Sequence, residues 1–232
     1  MPQALCFADP TDGAIPIRLV TPDGAEATLA ALPAAHRAWA EHHGFAGTLG
    51  QSCALPGEGG APALVLIGTG TAVDRLRRRF AIGAAIAELP RATYALEAPL
   101  DGAEGEEIAL GYLLSLYRFE RYRKPSPDKA ALVAPKGVDA ARLERIAAGE
   151  ALTRDLINTP AEDMGPDALE QAALDLAAEC AAEVSVITGE ELLARNFPLI
   201  HTVGRAAARA PRLIELHWGK GARKVTLVGK GV

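Results

Sequence analysis

Three observations predict an α/β fold in two successive regions. Short apolar runs alternate with amphipathic stretches from Ile15 to Val133, one long helical stretch follows Asp139, and a second alternation begins at Gly165-Pro166. In the first region, Ile15-Pro16-Ile17-Arg18-Leu19-Val20 reads as a strand. Pro33 suits the first turn of a helix that reaches His43 and stops at Gly44. Ala63-Leu64-Val65-Leu66-Ile67 is a buried strand, and Val73, Leu76, Phe80, Gly83 and Ala87 then recur at helical spacing until Pro90. Thr71 is placed to cap that helix, with Asp74 in its positive first turn. Thr93 to Glu97 forms another short strand. Residues Glu106 to Arg121 form a helix too broadly apolar for a simple surface element, and Ala130 to Val133 a last strand.

Lys124-Pro125-Ser126-Pro127-Asp128 is a loop. Asp139 caps a long helix through Leu143, Ile146, Leu152 and Leu156 that ends at Asn158-Thr159-Pro160. Residues 1–138 therefore read as an N-terminal α/β domain, 139–160 as a linker helix, and 161–232 as the beginning of a second domain. In that domain a helix from Gly165-Pro166 carries Leu169, Ala173, Leu176 and Cys180. Strand Val184 to Ile187, a short helix from Gly189, strand Leu213 to Trp218 and strand Lys224 to Val228 follow. This last run leads directly into Gly229-Lys230-Gly231-Val232 without a covering helix. A parallel strand needs its crossover, so the 232 residues read as the front of a longer protein.

Composition removes several function classes. The 24.2 kDa chain is 49% hydrophobic and 23% charged, with a mean hydropathy of +0.10, as folded globular proteins are. A net charge of -5 supplies no positive field for a nucleic acid backbone, so nucleic acid is disfavoured as a partner. Cys6, Cys53 and Cys180 are odd in number and lack C-x-x-C spacing, against a disulfide framework or zinc knuckle. The first residues, Met1 to Leu5, lack a secretory signal, and no run of about 18 apolar residues occurs. A cytoplasmic protein away from the membrane is expected.

Candidate motifs are few. Gly68-Thr69-Gly70-Thr71-Ala72-Val73 lies between a strand and a helix, as a dinucleotide fingerprint does, but Val73 takes the third glycine position and Glu97 is a poor acidic partner. An ordinary strand-to-helix turn is the better reading. Arg75, Arg77, Arg78 and Arg79 cluster beside Asp74, a solvated face or subunit contact. None of His36, His42, His43, His201 and His217 has a recognised metal spacing, and no serine or cysteine stands in a nucleophile motif. Gly229-Lys230-Gly231 lacks the Ser or Thr of a phosphate loop. Read alone, Lys230 is a turn lysine; it becomes a ligand only if burial beside a divalent cation lowers its pKa.

Four segments, in order, carry a resemblance. Leu152-Thr153-Arg154-Asp155-Leu156-Ile157-Asn158-Thr159-Pro160, Ala161-Glu162-Asp163-Met164-Gly165-Pro166, Pro211-Arg212-Leu213-Ile214-Glu215-Leu216 and Leu227-Val228-Gly229-Lys230-Gly231-Val232 resemble the leucyl (cytosol) aminopeptidase family. The likeness extends more loosely to Gly111-x-x-Leu114-x-x-Tyr117-x-Phe119-x-x-Tyr122. It implies an N-terminal macro-domain-like α/β domain, a linker helix and the start of a mixed α/β catalytic domain. It also implies two divalent metal ions, manganese or zinc, with carbonate in the complete site. Such enzymes remove N-terminal residues, leucine-type, from peptides with a free N-terminus. The metals polarise the scissile carbonyl, bind the amine and activate a bridging water. A homo-oligomer, a hexamer, is implied.

In this resemblance the lysine of V-G-K-G is a metal ligand, a role that falls on Lys230 alone. The family's acidic ligands, second active-site lysine and carbonate-holding arginine lie beyond Val232, so this chain by itself is expected to be inactive. The alternative reading is a non-catalytic module, either a macro-like ligand binder or an oligomerisation and regulatory subunit. DNA binding, a third reading, has only the arginine cluster behind it and the wrong net charge.

Overall fold

Strand β1 (Ile15–Val20) lies at the centre of a five-stranded sheet in the computed structural model, which describes residues 5–231. Residues 1–4, where the expected absence of a secretory signal is read, and Val232 of the C-terminal motif lie outside the described residues. The other strands are β2 (Ser52–Pro56), β3 (Pro62–Gly68), β4 (Thr93–Leu96) and β5 (Ala131–Leu132), in the order β2-β3-β1-β4-β5. β1 pairs in parallel with β3 and β4, β5 in parallel with β4, and only β2 runs antiparallel to its neighbour β3. Val65, Leu66 and Ile67 are fully buried, the pattern of a parallel strand covered on both faces.

Helices α1 (Pro22–Ala30), α2 (Ala34–His42), α3 (Ala72–Arg77), α4 (Ala81–Ala87) and α5 (Gly102–Leu116) surround this sheet, followed by α6 (Ala140–Asn158). Two clusters form the core. One gathers Ile17, Val65, Ile67, Ile82, Ile86, Tyr94, Ile108, Tyr112, Leu113 and Leu132, and the other Val20, Leu29, Phe45, Leu55 and Leu66. Leu143, Ala147 and Ala151, a stripe at i, i+4 and i+8 of α6, join the first cluster. Asp139 caps α6 as expected, its Oδ1 accepting from Arg142 N at 3.0 Å.

Tyr112 ties α5 to the sheet. Its buried hydroxyl donates to Ala130 O at 2.9 Å and accepts from Leu132 N at 2.9 Å, while its ring stacks on Phe7. Burial pushes the phenol's pKa up. The helix expected over Glu106 to Arg121 is shifted to Gly102–Leu116. Tyr117 turns extended (φ -57, ψ 135), and residues beyond it form a loop in which Glu120 accepts from Ser126 N at 2.7 Å.

The continuous helix expected from Val73 to Ala87 is two helices. Thr71 and Asp74 do form a full capping box, but Arg78 leaves helical geometry (φ -136, ψ 64) and α4 restarts after Phe80. The glycines of the next two helices explain the break. A Cβ on Gly83 would lie 2.2 Å from Tyr112 N, and one on Gly111 3.0 Å from Phe80 Cβ, so α4 lies almost backbone to backbone on α5. Its direction is set by that contact rather than by α3.

Residues 1–154 and 155–232 form two compact units. In the second, α7 (Pro166–Cys180), β6 (Glu183–Thr188), α8 (Glu191–Ala194), α9 (Pro198–Gly204) and β7 (Arg212–His217) follow one another. Proline stands in the first turn of α7, as its sequence predicts. β6 and β7 pair antiparallel, Glu183 opposite His217 through Thr188 opposite Arg212. The strand expected over Lys224 to Val228 is not formed, and Val225, Leu227 and Val228 are exposed. A strand exists only within a ladder, and no described strand lies beside those residues to receive their N–H and C=O groups.

Replacing Tyr112 by Phe should strand Ala130 O and Leu132 N in the core and cost about 1–3 kcal/mol, read as a lower urea midpoint with unchanged slope. A second expectation concerns Lys129, which bonds Glu88 and also donates to Ser115 O at 3.0 Å. The lysine's hydrogen bond and charge hold the Glu88 carboxyl below the usual carboxylate range. A lowered carboxyl pKa gives stability that is present above the ordinary value, roughly pH 4.3, and lost as pH falls through the folded one. The melting-temperature gap between the natural chain and Lys129→Met should therefore shrink from pH 6 towards pH 3; a constant gap would remove the ion pair from the account.

Candidate functional site

The turn after β3 is held by its own chain. Gly68 N donates to Gln51 O at 2.8 Å, Gly70 N to Gly47 O at 3.0 Å and Thr69 N to Val20 O at 2.9 Å. Hence the amides of Gly68, Thr69 and Gly70 are already engaged, and Thr71 N is bonded to Asp74 Oδ2 at 3.0 Å. The glycines have a packing reason as well. A Cβ on Gly68 would sit 2.1 Å from Thr48 O, and Gly70 combines φ +62 with a Cβ position 2.6 Å from Leu49 Cβ. Glu97 makes a two-point ion pair with Arg18, 2.6 and 3.1 Å, across the ends of β1 and β4. The ordinary-turn reading of the motif therefore accounts for the amides of Gly68 to Thr71 and for Glu97.

The arginine cluster is also partly absorbed. Arg75 donates to Gly70 O at 2.9 Å and pairs with Glu104 at 2.8 Å, while Arg79 pairs with Glu107. These bridges join α3 and the α3–α4 break to α5 around a cavity of about 290 Å³ floored by Ile82 and Ile108. The position of Arg75 over the turn carbonyls was not legible from sequence. A helix-period analysis places it on a solvent face, and only the tight turn brings the carbonyls within reach.

The histidines follow the bland reading. His43 Nδ1 donates to Trp39 O at 2.8 Å, closing α2, and His201 Nε2 meets Glu190 Oε1 at 3.0 Å. The thiol of Cys53 is buried and its pKa is pushed up by that burial, which keeps it protonated and unreactive.

Lys230 lies in the irregular segment after β7, exposed like its neighbours. Gly229 has open space around it. Gly231 passes so close to α7 that a Cβ would lie 2.7 Å from Leu169 Cδ2, which places the end of the described chain against that helix. Among the described residues, no group of three or more His, Cys, Asp or Glu is arranged to hold a metal ion. A lysine amine supplies one neutral nitrogen donor, whereas hard divalent cations take most of their ligands from oxygen. Lys230 would therefore need carboxylate partners to take part in a metal centre.

Comparison with known proteins identifies the family. The family model described as "M17 aminopeptidase, N-terminal domain" matches residues 15–135. The chain belongs to the M17 aminopeptidase family. The M17 model for the cytosol aminopeptidase catalytic domain matches residues 151–232. A probable cytosol aminopeptidase of Geobacter sp. (strain M21) is 35% identical over 218 residues, spanning 83% of this chain and 44% of that protein. One of Leifsonia xyli is 31% identical over 95% of this chain and 45% of its own length.

Among solved structures, the cytosol aminopeptidase of Coxiella burnetii superposes with a TM-score of 0.82 at 34% identity, over 93% of this chain and 46% of that one. The bottromycin maturation enzyme BotP, solved in complex with Mn, has a TM-score of 0.63 at 27% identity, over 89% of this chain and 45% of its own. The mixed α/β fold is thus that of the M17 enzymes. The M17 chain described here spans less than half the length of these relatives.

If the turn after β3 is filled by its own loop, NAD and ADP-ribose at millimolar concentration should leave the melting temperature unchanged; a ligand at 100 times its Kd would add about 2.7 kcal/mol and a plain upward shift.

Proposed function

We propose that this chain is the front portion of a metal-dependent aminopeptidase that releases N-terminal amino acids, leucine-type, from peptides by two-metal hydrolysis. The observation that carries this reading is the match of residues 151–232 to the M17 catalytic domain, in a segment that contains the V-G-K-G run and Lys230. Lys230 would be one metal ligand. The carboxylates that complete the centre, and any carbonate beside it, would come from sequence after residue 232, since among the described residues no group of three or more His, Cys, Asp or Glu is arranged to hold a metal ion. Manganese or zinc would polarise the scissile carbonyl and lower the pKa of bound water.

The role of this chain's own residues is then positional. Residues 1–138 form the N-terminal domain, 139–160 the linker helix and 161–232 the beginning of the catalytic domain, with Gly229 and Gly231 letting the backbone carry Lys230 past α7. Relatives named cytosol aminopeptidases support a cytoplasmic site of action, and no helix among the described residues is long and apolar enough to cross a membrane. Assembly as a homo-oligomer, a hexamer, belongs to the same reading. The engaged turn at Gly68 to Thr71 weighs against the macro-like ligand binder as the alternative.

Two assays test the proposal with a chromogenic leucine amide. The 232-residue chain should release no chromophore with manganese or zinc. The protein purified from its natural source should release it, lose the activity to a chelator and regain it with metal. In that protein Lys230→Met should lower kcat/KM at least about tenfold, a barrier change of about 1.4 kcal/mol. Metal-dependent turnover by the 232-residue chain would sink the view that it is incomplete, and none by the natural protein would sink the activity itself.

A further inference from the structure

β2 is an edge strand, and an open edge offers a row of unpaired carbonyls and amides to any other strand. Its side chains alternate cleanly, with Cys53 and Leu55 buried and Ser52, Ala54 and Pro56 exposed. Residues two apart in a strand direct their backbone groups to the same side. Ala54 and Pro56 are such a pair, and the carbonyls of both are taken by side chains of α2. Trp39 Nε1 donates to Ala54 O at 3.1 Å, and His36 Nε2 lies 2.9 Å from Pro56 O. A carbonyl only accepts, so His36 carries its proton on Nε2.

The arrangement is braced. His43, one turn on from Trp39, lies against the indole with ring centroids 4.5 Å apart, and its own Nδ1 is fixed by Trp39 O. Trp39 remains 43% exposed, an unusual place for a large aromatic unless its N–H has work at the edge. Other features blunt the same edge. Pro56 has no N–H to offer, and the β2–β3 register shifts between Leu55 and Pro56. At the far edge of the sheet, Ala8 bridges Val133 and donates to Leu132 O at 2.8 Å, covering β5.

We propose that α2 is a guard on the free edge of the N-terminal sheet, in which Trp39 and His36 occupy two of the outward carbonyls, those of Ala54 and Pro56, through which β2 would otherwise pair with a strand of a second copy of this chain. The guard uses side-chain donors and no strand of its own, so it closes the edge without extending the sheet.

The test uses the full 232-residue chain with His36→Ala and Trp39→Phe together, Phe keeping the ring but not the N–H. Sedimentation velocity at rising concentration, at a temperature where circular dichroism shows every variant folded, reads the result. The double variant should show about threefold or more mass in species heavier than those of the natural chain, and adding Ser52→Lys should return it to the natural distribution, because a charge on an edge strand blocks pairing. His36→Ala alone, which removes one donor from an exposed side chain, should lie between the two and serves if the double variant does not fold. An unchanged distribution in the variants would overturn the proposal. So would new heavy species that Ser52→Lys leaves in place, since those would arise from general unfolding and not from the edge.

Discussion

The N-terminal unit depends on one phenol. Tyr112 sits where α5, β5 and the chain before β1 meet, and a single hydroxyl satisfies both a carbonyl and an amide that the two-residue strand β5 leaves over. A strand that short has little ladder of its own. Its place in the sheet is fixed by a helix, and the helix is held at the right height by the glycine contact of Gly83 with the backbone at Tyr112. Ring packing on Phe7 extends the same joint to the segment whose Ala8 finishes the sheet. Side-chain chemistry here does what longer strands would do with backbone alone.

The second unit has a different character. Its two strands are half exposed on most positions, and Leu199, Val203, Trp218 and Val225 to Val228 present apolar groups to solvent. Apolar surface on that scale is costly in isolation. Its order comes from the six-residue β6–β7 ladder and the buried Leu192 and Ala177, joined by Arg212 with Glu170, Arg209 with Asp167 at 3.3 Å, and Trp218 donating to Cys180 O at 3.1 Å. Lys230 belongs to this sparsely packed part, which is why its surroundings carry little chemistry of their own.

Much of the fold was legible because the signals were long or chemically sharp. β1, β3, α6 and α7 announce themselves through continuous apolar runs or capped periodicity, and the Thr71–Asp74 box through its spacing. α1 and β2 escaped notice. α1 packs only Ala25 and Leu29 inward, and the Ser-Cys-Ala-Leu-Pro of β2 lacks the β-branched and aromatic residues that mark strands. The break between α3 and α4 contains neither Gly nor Pro, since its cause is a contact some 28 residues away, the close backbone packing of Gly83 and Phe80 on α5 at Gly111 and Tyr112. For the candidate site, sequence offered Lys230 and the motif around it as an expectation, and among the described residues no group of three or more His, Cys, Asp or Glu stands beside it to hold a metal. The strand before it was misjudged because a buried-strand pattern states what a segment would do beside neighbours, not whether neighbours are present.

The strand order has a consequence for synthesis. Among the described strands of this sheet, β1 leaves the ribosome before the others yet lies in the middle, flanked by β3 about 45 residues later and β4 some 30 beyond that. Until Thr93 to Leu96 has emerged, one side of β1 has no native mate, and closing those long loops precedes most of the reward. The nascent chain therefore carries its most apolar strands unpaired for a time, and the helices between them, being local, are the elements available to shield them.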